Sequence, residues 1–238
     1  MKTALVIGAS RGIGAAIVRA LCHDGWRVAL TYRQSEAAAR ALADETGAAA
    51  LRCDARDEDA TARTVAEAKR LLAHIDALVY NAGTAWSGLI QDMTCAEWDD
   101  LFAVHVRGAF VASRAVLPGM IGRRQGQILF LSSMWGQVGA SCEACYSACK
   151  AALIGFSKAL AKEVGPSGVR VNCIAPGAIQ TDMLRGYTPE ELRALADETP
   201  LQRLGTPEDI AAAARFLLSD GAAFITGQTI GVNGGFVI

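Results

Sequence analysis

The sequence has almost no net charge and no long uninterrupted apolar run. Its 23 lysines and arginines balance 24 aspartates and glutamates, which gives a formal net charge of -1. Such a chain has no bulk electrostatic attraction to nucleic acid or to an anionic membrane. Although 52% of its residues are hydrophobic, no apolar run approaches the roughly 18 residues of a membrane span. We therefore expect no nucleic-acid partner and no membrane partner.

A secretory signal is also missing. The apolar stretch Met1–Gly8 is too short for one, and it runs directly into a glycine motif. This stretch is typical of a first buried strand, and we expect a cytoplasmic protein.

The sequence lacks a complete set of metal ligands, and its cysteines cannot all form disulfides. The seven cysteines are an odd number that cannot all pair within one chain, so we expect reduced thiols. Cys142, Cys145 and Cys149 cluster, but no second Cys-x-x-Cys pair or His-x-x-x-His pair accompanies them. The sequence therefore predicts no metal site. A redox-sensitive thiol beside Tyr146 and adventitious zinc are the alternatives.

Linkers, repeats and low-complexity tracts are absent, which predicts one domain over residues 1–238. Short apolar runs alternate with longer alanine-rich amphipathic stretches, which predicts an α/β fold with parallel strands and helices on both sheet faces. The predicted strands are Ala4–Ile7, Arg27–Tyr32, Ala48–Cys53, Ala77–Asn81, Gln127–Ser132, Arg170–Ala175 and Thr229–Val232. The predicted helices lie near Gly12–Asp24, Ser35–Thr46, Glu58–Ala73, Cys95–Ile121, Cys145–Gly165 and Pro207–Ser219.

The segment Gly177–Leu204 interrupts this alternation. It contains glycine, two prolines and a short helical pattern. A segment of this kind can close over a binding site, and we predict a lid here.

A glycine-rich turn follows the first predicted strand and opens the first predicted helix. Glycines let the backbone approach a pyrophosphate closely, while the helix N-terminus supplies amide donors. A glycine-rich loop alone is a weak signal, and its position between strand and helix supports a dinucleotide site. The spacing is Gly-x-x-x-Gly-x-Gly, and the predicted contacts are Gly8, Ser10, Arg11, Gly12, Ile13 and Gly14.

The end of the second strand lacks the carboxylate that selects NAD by binding the ribose hydroxyls. Residues 31–35 contain none, and the first carboxylate is Glu36. Guanidinium groups match phosphate oxygens, so Arg33 and Arg11 can hold a 2′-phosphate. The sequence therefore favours NADP(H) over NAD(H). The alternative is that Arg33 is a solvated surface residue and both cofactors bind.

Tyr146 and Lys150 lie four residues apart, with Ser133 thirteen residues before the tyrosine. Residues i and i+4 share a helix face, so a phenol and an ammonium can meet at one site. A free tyrosine has a pKa of about 10, and a neighbouring ammonium is expected to lower that pKa toward neutrality. With Ser133 holding a carbonyl oxygen, this set suits the making or breaking of an alcohol. The alternative for such a pair is two solvated side chains on a helix surface.

Together these residues resemble the short-chain dehydrogenase/reductase family, from about Thr3 to Gly235. The resemblance implies a Rossmann-type, doubly wound three-layer αβα sandwich around a seven-stranded, mainly parallel sheet. It also implies an adenine contact from Asp54 and a nicotinamide-ribose contact from Lys150. The motifs stand in the family's order: Gly8, Gly12 and Gly14; Asp54; Asn81-Ala82-Gly83; Ser133; Tyr146 and Lys150; and Pro176-Gly177.

The same resemblance implies the reaction. NADPH gives a hydride to a ketone carbon, Tyr146 gives a proton to the developing alkoxide, and Ser133 holds that oxygen. Lys150 lowers the pKa of Tyr146 and helps to reprotonate it. Asn81 supports the sheet and the cofactor. Further cofactor contacts are implied for Ala82, Gly83, Tyr146, Pro176, Gly177, Ile179 and Thr181, the last two at the nicotinamide carboxamide.

Two positions depart from the family pattern. His105 stands where the family has an asparagine that anchors a water for proton relay. A histidine can also bind a water, and it titrates near neutrality, so His105 is a candidate catalytic residue. The alternative is a packing histidine. Ile7 precedes the first glycine where the family often has threonine, which removes a local hydrogen bond.

The C-terminal half is most similar to bacterial 3-oxoacyl-[acyl-carrier-protein] reductases, which implies a small or carrier-tethered ketone substrate. Those enzymes receive the acidic carrier on exposed arginines. Arg124 matches one such position, whereas Ser167 stands at the other. A solvated Arg123–Arg124 pair at a helix end is the alternative.

The loop between Ser133 and Tyr146 is similar to a different subset of bacterial reductases, which act on a ketone-bearing modification of elongation factor P. Trp135, Gln137 and Glu143 are placed to line the substrate mouth, and an acidic Glu143 suits an amine-bearing ketone. The alternative is that Trp135 packs and Glu143 is solvated.

The family resemblance also implies a homotetramer, with the two long helices at one interface and the C-terminal strand and helix at another. The apolar ending, residues 234–238, is consistent with burial against a neighbour. A hypothesis from a different class is an NADP-binding regulatory protein that kept the fold without the chemistry. The presence of Ser133, Tyr146 and Lys150 argues against this hypothesis. Only His105, which departs from the family pattern, is consistent with it.

Overall fold

The structure, a computed structural model, describes residues 1–238 and contains one seven-stranded sheet. Its strands are β1 (Thr3–Ile7), β2 (Arg27–Tyr32), β3 (Ala49–Arg52), β4 (Ala77–Tyr80), β5 (Gly126–Leu131), β6 (Val169–Pro176) and β7 (Thr229–Val232). The order across the sheet is β3-β2-β1-β4-β5-β6-β7. Every neighbouring pair is parallel, so the predicted fold class is confirmed and the sheet is parallel throughout.

Helices cover both faces of this sheet. They are α1 (Gly12–His23), α2 (Glu36–Thr46), α3 (Glu58–Leu72), α4 (Cys95–Phe102), α5 (Gly108–Arg123), α6 (Trp135–Val138), α7 (Ala144–Val164), α8 (Pro189–Glu198) and α9 (Pro207–Leu217). One core of 25 buried residues lies between the sheet and α1, α2 and α9, and another of 25 lies between the sheet and α3, α5 and α7. Because a core of equal size covers each face of the sheet, the strands are apolar on both faces.

The predicted helix Cys95–Ile121 is not regular throughout. Residues Ala103–Arg107 form a π-turn between α4 and α5, in which the Gly108 N–H donates to the Ala103 carbonyl five residues earlier. A π-turn widens the helix by one residue and changes which side chains face inward. Hydrophobic periodicity does not signal such a turn, because both neighbouring segments keep a helical pattern.

The run Cys95–Arg123 is long and apolar enough to cross a membrane by length and composition, with a mean hydropathy of 1.2. Of its most apolar stretch, 56% is buried inside the fold, which is the pattern of a core helix.

The segment that interrupts the strand–helix alternation contains α8, which begins with a capping box. The Thr188 hydroxyl accepts from the Glu191 N–H, and the Glu191 carboxylate accepts from the Thr188 N–H. A cap of this kind stabilises a helix N-terminus by about 1 kcal/mol. The seven cysteines are all free thiols.

Candidate active site

The glycine turn and the Ser133–Tyr146–Lys150 set lie at the carboxyl edge of the sheet. Gly8, Asn81 and Ser133 each follow a strand at this edge, at the ends of β1, β4 and β5. The chain passes from β1 outward to β2 and β3 and then returns to β4 on the other side, so the β1–β4 crevice is a topological switch point. Open parallel sheets bind ligands at such crevices.

The glycine turn is closely packed by the loop that follows β4. Gly8 has a φ of +79°, and a Cβ there would lie 2.5 Å from the Ala82 Cα. A Cβ at Gly14 would lie 2.5 Å from the Gly8 carbonyl oxygen, which itself accepts a hydrogen bond from the Asn81 amide. Side chains are excluded from this turn, and its backbone is left open at the N-terminus of α1.

Thr31, which the sequence did not single out, also holds this turn. Its hydroxyl accepts from the Gly8 N–H at 2.9 Å, and its carbonyl accepts from the Ala9 N–H at 2.9 Å. Thr31 lies on β2 in register next to Leu51 of β3. A threonine at the end of β2 therefore links the glycine turn to the neighbouring strand.

Asp54 and Arg11, two charged residues with predicted cofactor contacts, each form an ion pair within the chain. The Asp54 carboxylate accepts from the Arg56 guanidinium at 2.7 Å, and Arg56 also pairs with Asp100 at 2.9 Å. The hydrogen bond from Arg56 lowers the pKa of the Asp54 carboxyl, and burial offsets part of that shift. Arg56 was not identified from the sequence, because nothing in its spacing indicates that it contacts Asp100, which lies 44 residues away.

Arg11 reaches the predicted lid. Its guanidinium donates to Asp182 at 2.9 Å, and Arg185 pairs with the same carboxylate at 2.6 Å. Thr181, the residue before this aspartate, lies against the glycine turn, because its Cγ2 is 3.4 Å from a Cβ built at Gly12. A cavity of about 560 Å³ is lined by residues of both the turn and the lid. The structure therefore brings Arg11, Gly12 and Thr181 together, although the sequence analysis places Arg11 at the 2′-phosphate and Thr181 at the nicotinamide carboxamide.

Ser133, Tyr146 and Lys150 converge and are buried. Their exposed fractions are 7%, 8% and 5%, so the alternative of a solvated helix-surface pair is wrong for this chain. The Lys150 ammonium donates to the Leu131 carbonyl at 2.7 Å and lies 5.4 Å from the centre of the Tyr146 ring. The Ser133 hydroxyl accepts from the Trp135 N–H at 3.2 Å.

The titration of this set differs from the sequence expectation. Burial raises the pKa of Tyr146, and the nearby Ser133 hydroxyl offsets only part of that rise. Burial also lowers the pKa of Lys150 to about 8. The expectation that the ammonium brings the pKa of Tyr146 toward neutrality is wrong for the protein alone, because removing the phenolate from water costs more than the hydrogen bond with Ser133 returns. Tyr146 is therefore a protonated donor at neutral pH.

His105 lies on the π-turn beside Tyr146, fully buried. The two rings meet edge to face, with centroids 5.5 Å apart. Burial, followed by the positive charge of Lys150, lowers the pKa of His105 to about 3, so the expectation that it titrates near neutrality is wrong. Its Nε2 lies 2.8 Å from the Thr84 carbonyl, whereas its Nδ1 is buried and has no partner in the chain. Nε2 also lies 3.2 Å from the Thr84 backbone nitrogen, so it binds the Thr84 backbone in either tautomer of the ring.

Gly136 sets the distance between α6 and the catalytic helix α7. A Cβ at Gly136 would lie 2.7 Å from the Lys150 carbonyl carbon and 2.8 Å from its Cβ. The Ser132 hydroxyl binds the Lys150 carbonyl at 2.8 Å from the other side. Neither residue was predicted, because a glycine within a short helix has many roles and the sequence does not reveal which backbone it meets.

Trp135, Gln137 and Glu143, which the sequence places at the substrate mouth, differ in burial and in their contacts. Trp135 is half-buried and packs edge-on against Phe236, 5.7 Å between ring centres, whereas Gln137 is exposed. Glu143 is half-buried, its side chain makes no hydrogen bond or ion pair within the chain, and burial raises its pKa. The alternative for this loop is thus half right, since Trp135 packs but Glu143 is not fully solvated.

We expect Lys150→Met to stabilise the fold at neutral pH. The ordinary pKa is 10.5 and the folded value is about 8, so the buried charge costs stability below pH 8, and this cost is relieved as the pH rises from 8 to 10.5. Removing the charge should raise the free energy of unfolding at pH 7 by roughly 1–3 kcal/mol. Urea denaturation at pH 7 and pH 10.5 measures the gain, which should shrink at the higher pH. Lys158→Met, on an exposed position of α7, is the matched control, and an equal gain there would contradict the argument.

The fold and this site define a dinucleotide-binding enzyme with a tyrosine–lysine–serine centre. A family model described as enoyl-(acyl carrier protein) reductase matches residues 8–237. An uncharacterized oxidoreductase of Bacillus subtilis (strain 168), YmfI, is 42% identical over 241 residues, covering 99% of this chain and 98% of its own. The chain therefore belongs to the short-chain dehydrogenase/reductase family, and it is an oxidoreductase.

Other relatives are equally complete matches. The 3-oxoacyl-[acyl-carrier-protein] reductase FabG of Escherichia coli (strain K12) is 40% identical over 236 residues, 98% of this chain and 96% of that one. The acetoacetyl-CoA reductase of Shinella zoogloeoides is 41% identical over 235 residues, 98% of each. A solved blue fluorescent protein from a metagenomic library, in complex with NADPH, has a TM-score of 0.94 at 34% identity and covers 100% of this chain and 98% of its own.

Proposed function

We propose that the protein is an NADPH-dependent ketone reductase that acts on 3-oxoacyl thioesters, as the relatives named FabG and acetoacetyl-CoA reductase do. The observation that carries this proposal is the convergence of Ser133, Tyr146 and Lys150, buried together beside the glycine turn. Burying an ammonium is costly, and an NADP-binding regulatory protein would need Lys150 only as a ribose contact. The regulatory hypothesis therefore leaves the burial of Ser133 and Tyr146 beside Lys150 unexplained.

The carboxyl edge of the sheet fits NADP(H). Gly8 and Gly14 leave a backbone cradle that a side chain would fill, next to the amide donors of α1. Arg33 is partly exposed and contacts only its neighbour Gln34, at 3.2 Å, so its guanidinium is available to a 2′-phosphate. NADP(H) is the cofactor, in keeping with the NADPH held by the solved relative. Bound there, NADPH supplies the hydride for the reduction.

Several further residues would surround the cofactor. The lid residue Thr181 lies against Gly12 and lines the same cavity, which supports a contact with the cofactor. The remaining proposed contacts are Ser10, Arg11, Ile13, Asp54, Asn81, Ala82, Gly83, Tyr146, Lys150, Pro176, Gly177 and Ile179. Arg11 serves the cofactor only by leaving Asp182, since the two form an ion pair in the structure.

The proton chemistry belongs to the chain's own side chains. Ser133 holds the carbonyl oxygen, and Tyr146 donates its hydroxyl proton to that oxygen as the alkoxide develops. Lys150, oriented by the Leu131 carbonyl, then returns a proton to the phenolate. The raised pKa of Tyr146 suits this direction, because the hydroxyl is protonated at neutral pH before the ketone arrives.

His105 is proposed to take part in the proton relay behind Lys150. Its ring is edge-on to Tyr146, and its buried Nδ1 has no hydrogen-bond partner in the chain. With a pKa of about 3, His105 acts as a neutral imidazole and not as an imidazolium. A relay role therefore requires exchange of hydrogen bonds at Nδ1 without a change of charge.

A second candidate function is supported by Glu143. This carboxylate is half-buried three residues before Tyr146, its charge contributes to the raised pKa values of Tyr146 and Tyr187, and no cation of the chain neutralises it. An ammonium group on the substrate would pair with it, whereas an anionic phosphopantetheine would be repelled. This favours an amine-bearing ketone such as the modification on elongation factor P.

One rate comparison separates the two candidates. The purified protein receives NADPH or NADH with acetoacetyl carrier protein, acetoacetyl-CoA, a neutral β-keto ester, an amino ketone of similar length, or keto-modified elongation factor P. We expect a lower KM for NADPH than for NADH and the highest kcat/KM with a thioester. A faster reaction with the amino ketone and the modified factor would replace the first candidate by the second.

Glu143→Gln sharpens that comparison, since it removes the charge and keeps the shape. If Glu143 pairs with a substrate ammonium, kcat/KM for the amino ketone should fall about 10- to 100-fold, the worth of a charge-assisted hydrogen bond. The neutral β-keto ester should be unaffected. Equal changes for both ketones would remove the support for the second candidate, and no NADPH oxidation with any ketone would contradict both.

Two groups of exposed apolar side chains support the proposed homotetramer. Trp98, Phe110 and Ile121 lie on α4 and α5 with exposed fractions of 37–45%. The second group surrounds α9 and the edge strand β7, and consists of Phe216, Phe224, Ile230 and Ile238. Apolar surfaces of this kind are typical of interfaces between copies. A cytoplasmic location belongs to the same proposal.

A further inference from the structure

Tyr80, the last residue of β4, contacts the π-turn from the side of the sheet. It is fully buried, and its hydroxyl donates a hydrogen bond to the carbonyl oxygen of Val104, the residue before His105. A π-turn shifts the helical hydrogen bonds by one residue, and the buried carbonyls it disturbs need other partners. The Tyr80 hydroxyl is such a partner, supplied by the sheet.

Gly108 makes this contact possible. A Cβ at Gly108, the first residue of α5, would overlap the Tyr80 hydroxyl and the Ala55 carbonyl oxygen. The phenol thus occupies the space of a missing side chain, so Tyr80 and Gly108 act as a matched pair. Burial raises the pKa of Tyr80, which keeps the hydroxyl protonated and able to donate.

The ring of His105 is restrained on its far side as well. Its Nε2 lies 2.8 Å from the Thr84 carbonyl, and its atoms lie so close to Gly83 that any Cβ there would overlap them. The third side of the ring meets Tyr146 edge to face. A change in the π-turn would therefore move the ring relative to Tyr146, because Tyr146 lies on the separate helix α7.

We propose that Tyr80 is a positioning residue of the active site: its hydrogen bond to Val104 maintains the π-turn and fixes the His105 ring against Tyr146. The kinetic consequence rests on the proposed reductase function, whereas the structural consequence does not. Nothing in this role requires Tyr80 to touch cofactor or substrate.

Tyr80→Phe tests the proposal, because it removes one hydroxyl and keeps the ring. We expect kcat for ketone reduction to fall roughly tenfold, as for a misplaced catalytic group, with the KM for NADPH unchanged. In a His105→Leu background the same substitution should cause no further loss of kcat. Additive losses in this double-mutant cycle would overturn the proposal, since they would show that Tyr80 does not act through His105.

Nitrogen NMR of 15N-histidine-labelled protein gives a readout that does not depend on turnover. The chain has only three histidines, and His105 should stay neutral between pH 5 and pH 8. Tyr80→Phe should shift the His105 ring nitrogens and leave those of His23 and His74 in place. An unmoved His105 signal would overturn the positioning role even if the protein proves not to reduce ketones.

Ser113→Ala is the matched control. Ser113 is also buried, and its hydroxyl also donates to a carbonyl of α5, that of Ala109 at 2.7 Å. It should lower the melting temperature about as much as Tyr80→Phe does, but without affecting kcat or the His105 signal. If Ser113→Ala reproduces both effects, Tyr80 contributes only to general stability, and the proposal is wrong.

Discussion

Tyr146→Phe should abolish ketone reduction while the protein still binds NADPH. The substitution removes only the hydroxyl, so the ring keeps its edge-to-face contact with His105 and its place in the buried cluster. A positioned general acid contributes about 10²–10⁴-fold to a rate, so kcat should fall at least about 100-fold. The glycine turn and Arg33 are untouched, so the Kd for NADPH should change less than about twofold. Steady-state rates and a fluorescence titration of NADPH measure the two quantities.

The control for this prediction is Tyr187→Phe. Tyr187 lies in the predicted lid, is 42% exposed, and loses the same hydroxyl on substitution. It should leave kcat within about threefold, a change below 1 kcal/mol in barrier height. A Tyr146→Phe variant with more than about a tenth of the wild-type kcat would remove Tyr146 from the role of proton donor.

Gly8→Ala should disrupt the cofactor site severely. Gly8 has a φ of +79°, and the new Cβ would meet the Ala82 Cα at 2.5 Å and the Ala82 nitrogen at 2.7 Å. The left-handed backbone costs roughly 1–2 kcal/mol, and overpacking adds about 1–3 kcal/mol. Because the turn and the β4 loop must separate, we expect the Kd for NADPH to rise at least tenfold, which is about 1.4 kcal/mol.

Gly25→Ala isolates the steric part of this effect. Gly25 has a φ of +80°, almost identical to that of Gly8, but nothing lies within 4 Å of a Cβ built there. Both variants should therefore lose the same backbone contribution, while only Gly8→Ala loses NADPH binding. Similar Kd values for the two variants would mean that the backbone at Gly8 does not approach the cofactor. Calorimetric titration and thermal melting of both proteins decide the matter.

The sequence predicts the strands and the order of the motifs well, because both depend on local patterns. Apolar runs bounded by glycine mark β1 and β4, and the spacing of Tyr146 and Lys150 follows from helix geometry. The contacts that shape the site are not local. Arg56 bridges Asp54 and Asp100, and Arg11 meets Asp182, which lies 171 residues away. No periodicity or motif records such pairs.

The charge state of the site was also beyond the sequence. A lysine four residues after a tyrosine suggests a lowered phenol pKa, but that argument assumes water around both groups. In the structure the two side chains are more than nine-tenths buried, and desolvation decides the direction of both shifts. The same cause makes His105 neutral, although its residue type suggests a titrating group. Burial depends on the whole fold, so these corrections required the structure.

The distance in sequence between β1 and β4 also affects how the chain is made. The Asn81 amide and the Gly8 carbonyl that it binds are 73 residues apart, and the Ala82 backbone packs on the same turn. A nascent chain in which β4 has not yet been synthesised therefore contains the glycine motif, but the turn lacks the residues that pack against it. Long-range parallel pairing is slow, because the intervening loop must close before any contact forms. Free NADPH can then stabilise only chains whose first four strands have assembled, and by mass action it favours finished molecules over nascent ones.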